Sequence, residues 1–191
     1  MILEGIVTSL DPRDELNVAP MGPIVDETLA TLVLRPFRTS RTYENLKARP
    51  AGVFHVIDDV LLLAQAAIGE LTLVPETLPA VKVDGRVLSM ACRWYEFEIE
   101  TIDDSHERVT MRARVVHCGR LRDFFGFNRG KHAVLEAAIL ATRVHLLDRQ
   151  QILDEFARLQ VIVQKTGGSR EHEAFELLER HVSRALGGAS A

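Results

Sequence analysis

The chain has 191 residues, 47% of them hydrophobic, with 23 Lys and Arg against 27 Asp and Glu, which gives a formal charge of −4 at pH 7. This length supports one domain with a substantial core and an appendage, and the composition excludes a disordered or fibrous protein. The charge excludes nucleic-acid binding by overall attraction, and no apolar run approaches the roughly 18 residues of a membrane span. The N-terminus lacks a signal-peptide pattern, so we expect a cytoplasmic protein with no nucleic-acid or membrane partner.

The two cysteines, Cys92 and Cys118, stand far apart in strand-like segments. Free cysteine is usually buried, so the sequence predicts reduced thiols in or near the core. Neither cysteine has a histidine at the spacing of metal ligands, and we therefore predict no metal site.

The first half of the chain predicts short strands and two helices. Hydrophobic runs and turn signals place strands over 2–10, 28–36 and 52–57, and helices over 40–49 and 58–70. Hydroxyl residues offer an N-cap for the first helix, and Pro50 ends it. Gly69 ends the second helix.

The second half begins with the clearest hairpin in the sequence, formed by a long strand over 87–103 and a strand over 108–119. On the second of these strands Met111, Ala113 and Val115 are expected to face inward, and Arg112 and Arg114 outward. Helical periodicity follows to the end of the chain, with helices over 131–147, 149–168 and 169–188. A β-rich part therefore precedes a helical part.

The stretch LRPFRTSRTYENLKARP, residues 34–50, is basic and rich in hydroxyls in an otherwise mildly acidic chain. Its cations and hydroxyls around the helix start are Arg35, Arg38, Arg41, Thr39, Ser40 and Thr42. Guanidinium forks, hydroxyls and the amides of a helix N-terminus are the donors that bind phosphate. The stretch predicts either a phosphate site or a solvated basic loop that leads into a capped helix.

The segment NVAPMG, residues 17–22, precedes it. Asn17 carries an amide that both donates and accepts hydrogen bonds. Pro20 and Gly22 are expected to force an irregular backbone whose free amides and carbonyls could meet the polar edge of a ring. An ordinary turn has the same composition.

Together, these two segments resemble the FMN-binding split-barrel proteins, the group that contains flavin reductases and pyridoxamine phosphate oxidases. In flavin-reductase-like members an N-x-A-P segment lies beside the isoalloxazine ring, and a later S-x-T-x-x-N segment holds the phosphate. The matching residues here are Asn17, Ala19, Pro20, Ser40, Thr42 and Asn45.

Within that group the chain is identified as a member of the narrower DUF447 family by NVAPMGP, LRPFRTSRTYENL, FNRGKHAVLEAAILATRVHLL and KTGG, which together run through nearly the whole chain. The resemblance implies an α+β fold: a mainly antiparallel β split barrel over 1–125, with a C-terminal extension of about three helices over 126–191 packed on it. It also implies FMN as cofactor and a homodimer with the flavin between subunits. It further suggests a link to methanopterin-type one-carbon metabolism.

The resemblance also implies a set of cofactor-binding residues. They are Asn17, Val18, Ala19, Pro20, Met21, Arg35, Phe37, Arg38, Thr39, Ser40, Arg41, Thr42, Asn45 and His117. His117 is included because VVHCGRL resembles the strand end that approaches the flavin in split barrels. The alternative is a strand-end histidine that is hydrogen-bonded to backbone or water.

The segment FFGFNRGKH, residues 124–132, has two interpretations. Asn128 and Arg129 belong either to a lid or substrate-facing loop, or to a hydrophobic staple with a polar N-cap.

Three functions remain open at this point. They are a flavin-dependent oxidoreductase acting on a small molecule, an FMN carrier or sensor without turnover, and a binding module for another phosphorylated ligand. The sequence contains no nucleophile–base pair, P-loop or dinucleotide glycine fingerprint, so a flavin would have to supply the chemistry. The catalytic residues are unknown.

Overall fold

A computed structural model describes residues 1–187, which fall into two compact units. The sheet unit comprises Met1–Ile57 and Pro75–Phe124, and the helical unit comprises Asp58–Val74 and the chain from Phe125 onward. Among the described residues, no helix combines the length and the hydropathy needed to cross a membrane.

The sheet unit contains nine strands and one helix. The strands are β1 (Gly5–Leu10), β2 (Leu16–Met21), β3 (Ile24–Val25), β4 (Thr31–Leu34), β5 (Ala51–Val56), β6 (Thr77–Pro79), β7 (Arg86–Leu88), β8 (Arg93–Asp103) and β9 (Thr110–Arg120). The helix is α1 (Arg41–Ala48). Seven strands form one antiparallel sheet in the order β2-β1-β5-β8-β9-β4-β3, and β6 and β7 form a separate hairpin.

One face of the large sheet carries the hydrophobic core of this unit. Its fully buried members include Val7, Leu32, Phe54, Phe97 and Met111, and Tyr43 and Leu46 of α1 belong to the same cluster. The predicted alternation on β9 is confirmed, because Met111 and Ala113 are buried while Arg112 and Arg114 are exposed. Successive side chains of a strand point to opposite faces, so this core fixes which residues reach the other side.

The long strand predicted over 87–103 is wrong in one respect, because a turn divides it into β7 and β8. The Ala91 amide bonds to the Leu88 carbonyl at 3.1 Å, and the Cys92 amide bonds to the Val56 carbonyl at 2.9 Å. Ser89 is the only polar residue between Val87 and Cys92, so the sequence carries little local sign of the break. Cys92 is buried as expected, whereas Cys118 is exposed, which corrects the prediction of a thiol in or near the core.

A fully buried carboxylate tethers the β6–β7 hairpin to the sheet. Glu96 accepts hydrogen bonds from the amides of Val81, Lys82 and Val83 at 2.8, 2.6 and 3.1 Å, and from the Trp94 indole at 3.1 Å. Burial by itself would raise the pKa of Glu96, but the Val81 and Lys82 amides outweigh it and the pKa is lowered. The carboxylate therefore stays ionised inside the protein.

The helical unit contains α2 (Val60–Ala67), α3 (Arg129–Ala141), α4 (Arg149–Thr166) and α5 (Ser169–Gly187). Helix α2 packs against α3 and α5. The domains inferred from sequence, 1–125 and 126–191, stay a prediction, and the contacts in the structure group 58–74 with the later helices.

One helix boundary departs clearly from the sequence prediction. Helix α3 ends at Ala141 instead of residue 147, and turns follow it before Asp148 caps α4 through bonds to the amides of Gln150 and Gln151. The end expected at residue 188 for the last helix lies outside the described residues.

Candidate functional site

The segment NVAPM is a regular strand, which corrects the expectation of an irregular backbone. Strand β2 pairs with β1, and Pro20 lies opposite Ile6. Because β2 is the edge strand of the sheet, a proline that cannot donate a hydrogen bond is tolerated there. Asn17 lies directly opposite Ser9, and all six residues of β2, which include Val18, Ala19 and Met21, are half-buried.

Helix α1 has the hydroxyl N-cap that the sequence predicts, and the residue that forms it is Ser40. The Ser40 hydroxyl accepts from the Tyr43 amide at 3.2 Å and donates to the Phe37 carbonyl at 2.7 Å. The amides of Arg41 and Thr42 belong to the first turn and have no hydrogen-bond partner within residues 1–187. Two free amides at the positive end of a helix can receive an anion.

A buried network of amides and hydroxyls joins the two predicted motifs. Asn17 Nδ2 donates to Thr42 Oγ1 at 3.0 Å, across 25 residues of sequence, and also lies 3.3 Å from Ser9 Oγ. Asn45 Nδ2 donates to the same Ser9 oxygen at 3.2 Å. Ser9, Thr42 and Asn45 are buried and Asn17 is half-buried. The fold therefore places β2 directly beside the start of α1.

Three of the four arginines of the basic stretch are exposed around the start of α1, and each has a different environment. The Arg35 guanidinium has neither an ion pair nor a hydrogen bond to any other described residue. One Arg38 nitrogen is 3.3 Å from the Asp104 carbonyl oxygen. Arg41 pairs with Glu15 at 2.8 Å. Arg41 is thus held towards the β1–β2 turn, while Arg35 remains available to an external anion.

The turn between β8 and β9 supports the basic stretch, which the sequence did not reveal. The Tyr43 hydroxyl donates to Asp104 at 2.7 Å, and Lys47 Nζ is 2.7 Å from the Tyr43 oxygen and 2.9 Å from Asp104. These bonds raise the pKa of Lys47 to about 12, so its charge persists throughout the physiological range. They anchor the hairpin turn to α1.

Arg108 is the second residue of this turn that the sequence missed. Its guanidinium lies 4.0 Å from the centre of the Phe37 ring and donates to the Arg35 carbonyl at 3.0 Å. Thr39, which directly precedes Ser40 in the chain, is exposed. Arg108 is far from the motif in sequence, so only the pairing of β4 with β9 could bring it here.

His117 does not join the Asn17–Thr42 network within one chain. Register pairs Thr8 with Val53, Val53 with Glu96, and Glu96 with His117. Directly paired residues share a face, so His117 lies on the face of Thr8, opposite to that of the next residue, Ser9. The His117 ring lies 6.1 Å from that of Trp94.

Asn128 acts as a helix cap, and its side chain is fully engaged. It accepts from the Lys131 amide at 3.0 Å and donates to the Thr166 carbonyl at 3.0 Å. Phe127, at the staple position, is 95% exposed and contacts the His132 ring with 5.9 Å between ring centroids, so the two staple positions meet in an exposed aromatic pair. Arg129 is exposed. The FNRGKH and KTGG segments thus meet in a structural junction of the helical unit.

Comparison with known families and structures gives a consistent result. Residues 3–122 match the family model described as "Protein of unknown function (DUF447) N-terminal domain", and residues 128–180 match "Protein of unknown function (DUF447)". Among solved structures, an FMN-bound DUF447 protein from Methanosarcina mazei superposes with a TM-score of 0.80 at 24% identity, over 94% of each chain.

More distant structures share the fold over about three fifths of the chain. A 2-nitrobenzoate 2-nitroreductase from Pseudomonas fluorescens has a TM-score of 0.51 at 16% identity, covering 61% of this chain and 64% of that one. An FMN-binding protein from Thermus thermophilus has a TM-score of 0.51 at 14% identity, covering 62% and 70%. The fold is the α+β split barrel with C-terminal helices. The chain belongs to the DUF447 family.

Proposed function

We propose that this protein is an FMN-binding flavoprotein. The observation that carries the proposal is the 3.0 Å hydrogen bond between Asn17 and Thr42, which brings the N-x-A-P strand and the S-x-T-x-x-N helix start into one site. The FMN-bound relative with the same fold over nearly its whole length supports it.

The donors of the site fit a phosphorylated flavin. The free amides of Arg41 and Thr42 and the exposed Arg35 guanidinium offer hydrogen bonds and positive charge to the phosphate. Asn17 and the polar backbone of β2 would face the ring. The exposure of the arginines means that the helix amides and buried hydroxyls, rather than a buried cation cluster, must supply the directional contacts.

We further propose an oxidoreductase that acts on a small molecule. Bound FMN supplies one- or two-electron transfer chemistry, and the chain's own residues bind it, orient it and fix its hydrogen bonds. The family resemblance favours a partner in methanopterin-type one-carbon metabolism. A cytoplasmic location remains a prediction from the sequence.

The purified protein should be yellow and show a flavin absorption band. Arg38→Ala combined with Thr42→Ala removes one cation and the hydroxyl that Asn17 contacts, so FMN affinity should fall at least about a hundredfold, since each charged or buried contact contributes on the order of tenfold or more. Titration of flavin fluorescence measures the affinity.

The matched control is Thr142→Ala combined with Arg143→Ala, which changes the same residue types in the exposed turn after α3. Affinity equal to that of the wild type in the Arg38/Thr42 variant would contradict the assigned site. Bleaching of the bound flavin by NADH or NADPH, reversed by air or an acceptor, supports turnover; a flavin that stays oxidised with every donor would favour a carrier.

A further inference from the structure

We propose that Ser9 is a positioning residue of the flavin site, acting through Asn17 and Asn45; this inference rests on the proposed function. Ser9 lies on β1, outside both motifs, and is 2% exposed. Its hydroxyl oxygen is the only atom of the described chain that bonds to the side-chain amides of both motifs.

The orientation of Asn17 follows from counting hydrogens. An asparagine amide carries two hydrogens on Nδ2 and one acceptor oxygen. Ser9 and Thr42 take both hydrogens of Asn17. Its Oδ1 has no partner within residues 1–187. In this orientation Asn17 presents Oδ1 to a ligand as an acceptor, and the matching ligand group is a donor.

A flavin has donors of that class in its ring N–H and ribityl hydroxyl groups. If Ser9 Oγ is removed, Asn17 keeps only Thr42, and Asn45 Nδ2 loses its one side-chain partner. A buried amide that loses its hydrogen-bond partner rotates towards another partner, because an unpaired buried amide is costly. The side-chain amides of both motifs would therefore lose their fixed orientation. The ring environment of the bound flavin should change together with the affinity.

The same strand supplies a matched control. Thr8 precedes Ser9, is 1% exposed, and donates to the Arg86 carbonyl at 2.6 Å on the opposite face of the sheet. Ser9→Ala and Thr8→Val each delete one buried hydroxyl and one set of internal hydrogen bonds. The two variants differ in whether the deleted hydroxyl touches the motif amides.

The experiment compares FMN affinity, the visible absorption and circular dichroism of bound FMN, and the thermal midpoint of the ligand-free chain. Ser9→Ala should weaken FMN binding about tenfold and shift the flavin spectrum, whereas Thr8→Val should bind FMN with the wild-type spectrum and affinity. Ser9→Cys, which keeps the size but weakens the acceptor, should be intermediate and serves if Ser9→Ala does not fold.

A double-mutant cycle with Asn45→Ala tests the route of the effect. If Ser9 acts through Asn45, the fold-loss of FMN affinity in the double variant should be smaller than the product of the fold-losses in the two single variants. Wild-type affinity and spectrum in Ser9→Ala, or equal losses in Thr8→Val, overturn the inference alone. A wild-type chain that does not bind FMN overturns the proposed function and this inference together.

Discussion

Two hydrogen bonds hold a neutral histidine in the centre of the sheet. His55 is fully buried, its Nε2 accepts from the Leu88 amide at 3.0 Å, and its Nδ1 lies 3.2 Å from the Ile6 carbonyl oxygen. Because an amide donates to Nε2, the ring proton belongs on Nδ1. Burial lowers the pKa of His55 to about 4, against the bond to Ile6, which raises it.

This environment predicts a loss of stability in mild acid. In the unfolded chain His55 becomes protonated below about pH 6.5, whereas in the folded chain it stays neutral down to about pH 4. The unfolded state therefore binds more protons between these pH values, and this group should lower the free energy of unfolding by about 2 kcal/mol between pH 7 and pH 5. His55→Gln should be less stable at pH 7 but show a shallower decline, measured by urea unfolding at each pH. The same decline of the free energy of unfolding with pH in the wild type and in His55→Gln would contradict the prediction. His145→Gln controls for the loss of an exposed histidine.

At the scale of elements, two glycines allow the start of α3 to lie against the end of α4. A Cβ on Gly130 would come within 2.8 Å of Gly167 Cα and 2.9 Å of its nitrogen. Backbone atoms at this distance cannot move aside as a flexible side chain would. Nearby, Lys131 Nζ pairs with the buried Glu171 at 2.8 Å, so the junction combines close backbone contact with a buried ion pair.

Gly130→Ala should therefore destabilise the helical unit. Alanine gains at most about 1 kcal/mol of helix propensity, but the clash with the Gly167 backbone costs more, and we expect a net loss of about 1–3 kcal/mol. Thermal unfolding followed by circular dichroism measures it. Gly187→Ala, where no atom of the described residues lies within 4 Å of the new Cβ, is the control. Equal midpoints for the two variants would rule out the close packing.

For the whole molecule, the family resemblance predicts a second subunit, and we propose that the flavin site lies at its interface. Several large apolar side chains of the sheet unit are exposed, among them Ile2 at 62% and Phe37 at 47%, and Phe37 belongs to the basic stretch itself. A partner that covered such residues would also exclude water from the site. The proposed homodimer places the flavin between subunits with isologous contacts.

Light scattering coupled to size exclusion should give twice the 21.4 kDa mass of the chain. Phe37→Asp should increase the monomer fraction and lower FMN occupancy together, because one surface serves both. The control is Val161→Asp on α4, because Val161 is exposed. The neighbouring Ile162 is half-buried, so an aspartate there would also disturb helix packing. A monomer that retains FMN at full occupancy would refute the interfacial site.

The sequence by itself determined the local features. The hydroxyl cap of α1 and the inward and outward alternation on β9 depend on neighbouring residues, and local propensity decides them. The two motif segments were visible as a family resemblance. A turn expected near residue 12 could also have placed Ser9 opposite Asn17, because a hairpin fixes its register.

Only the tertiary structure decided what those features meet. The Asn17–Thr42 bond, the contact of Arg108 with Phe37 and the grouping of α2 with the C-terminal helices join residues far apart in the chain. The division of the run over 87–103 into two strands likewise depends on a bond to Val56. Such contacts follow from strand register and packing, which no local pattern encodes, and so the motifs were visible in the sequence while the site they form was not.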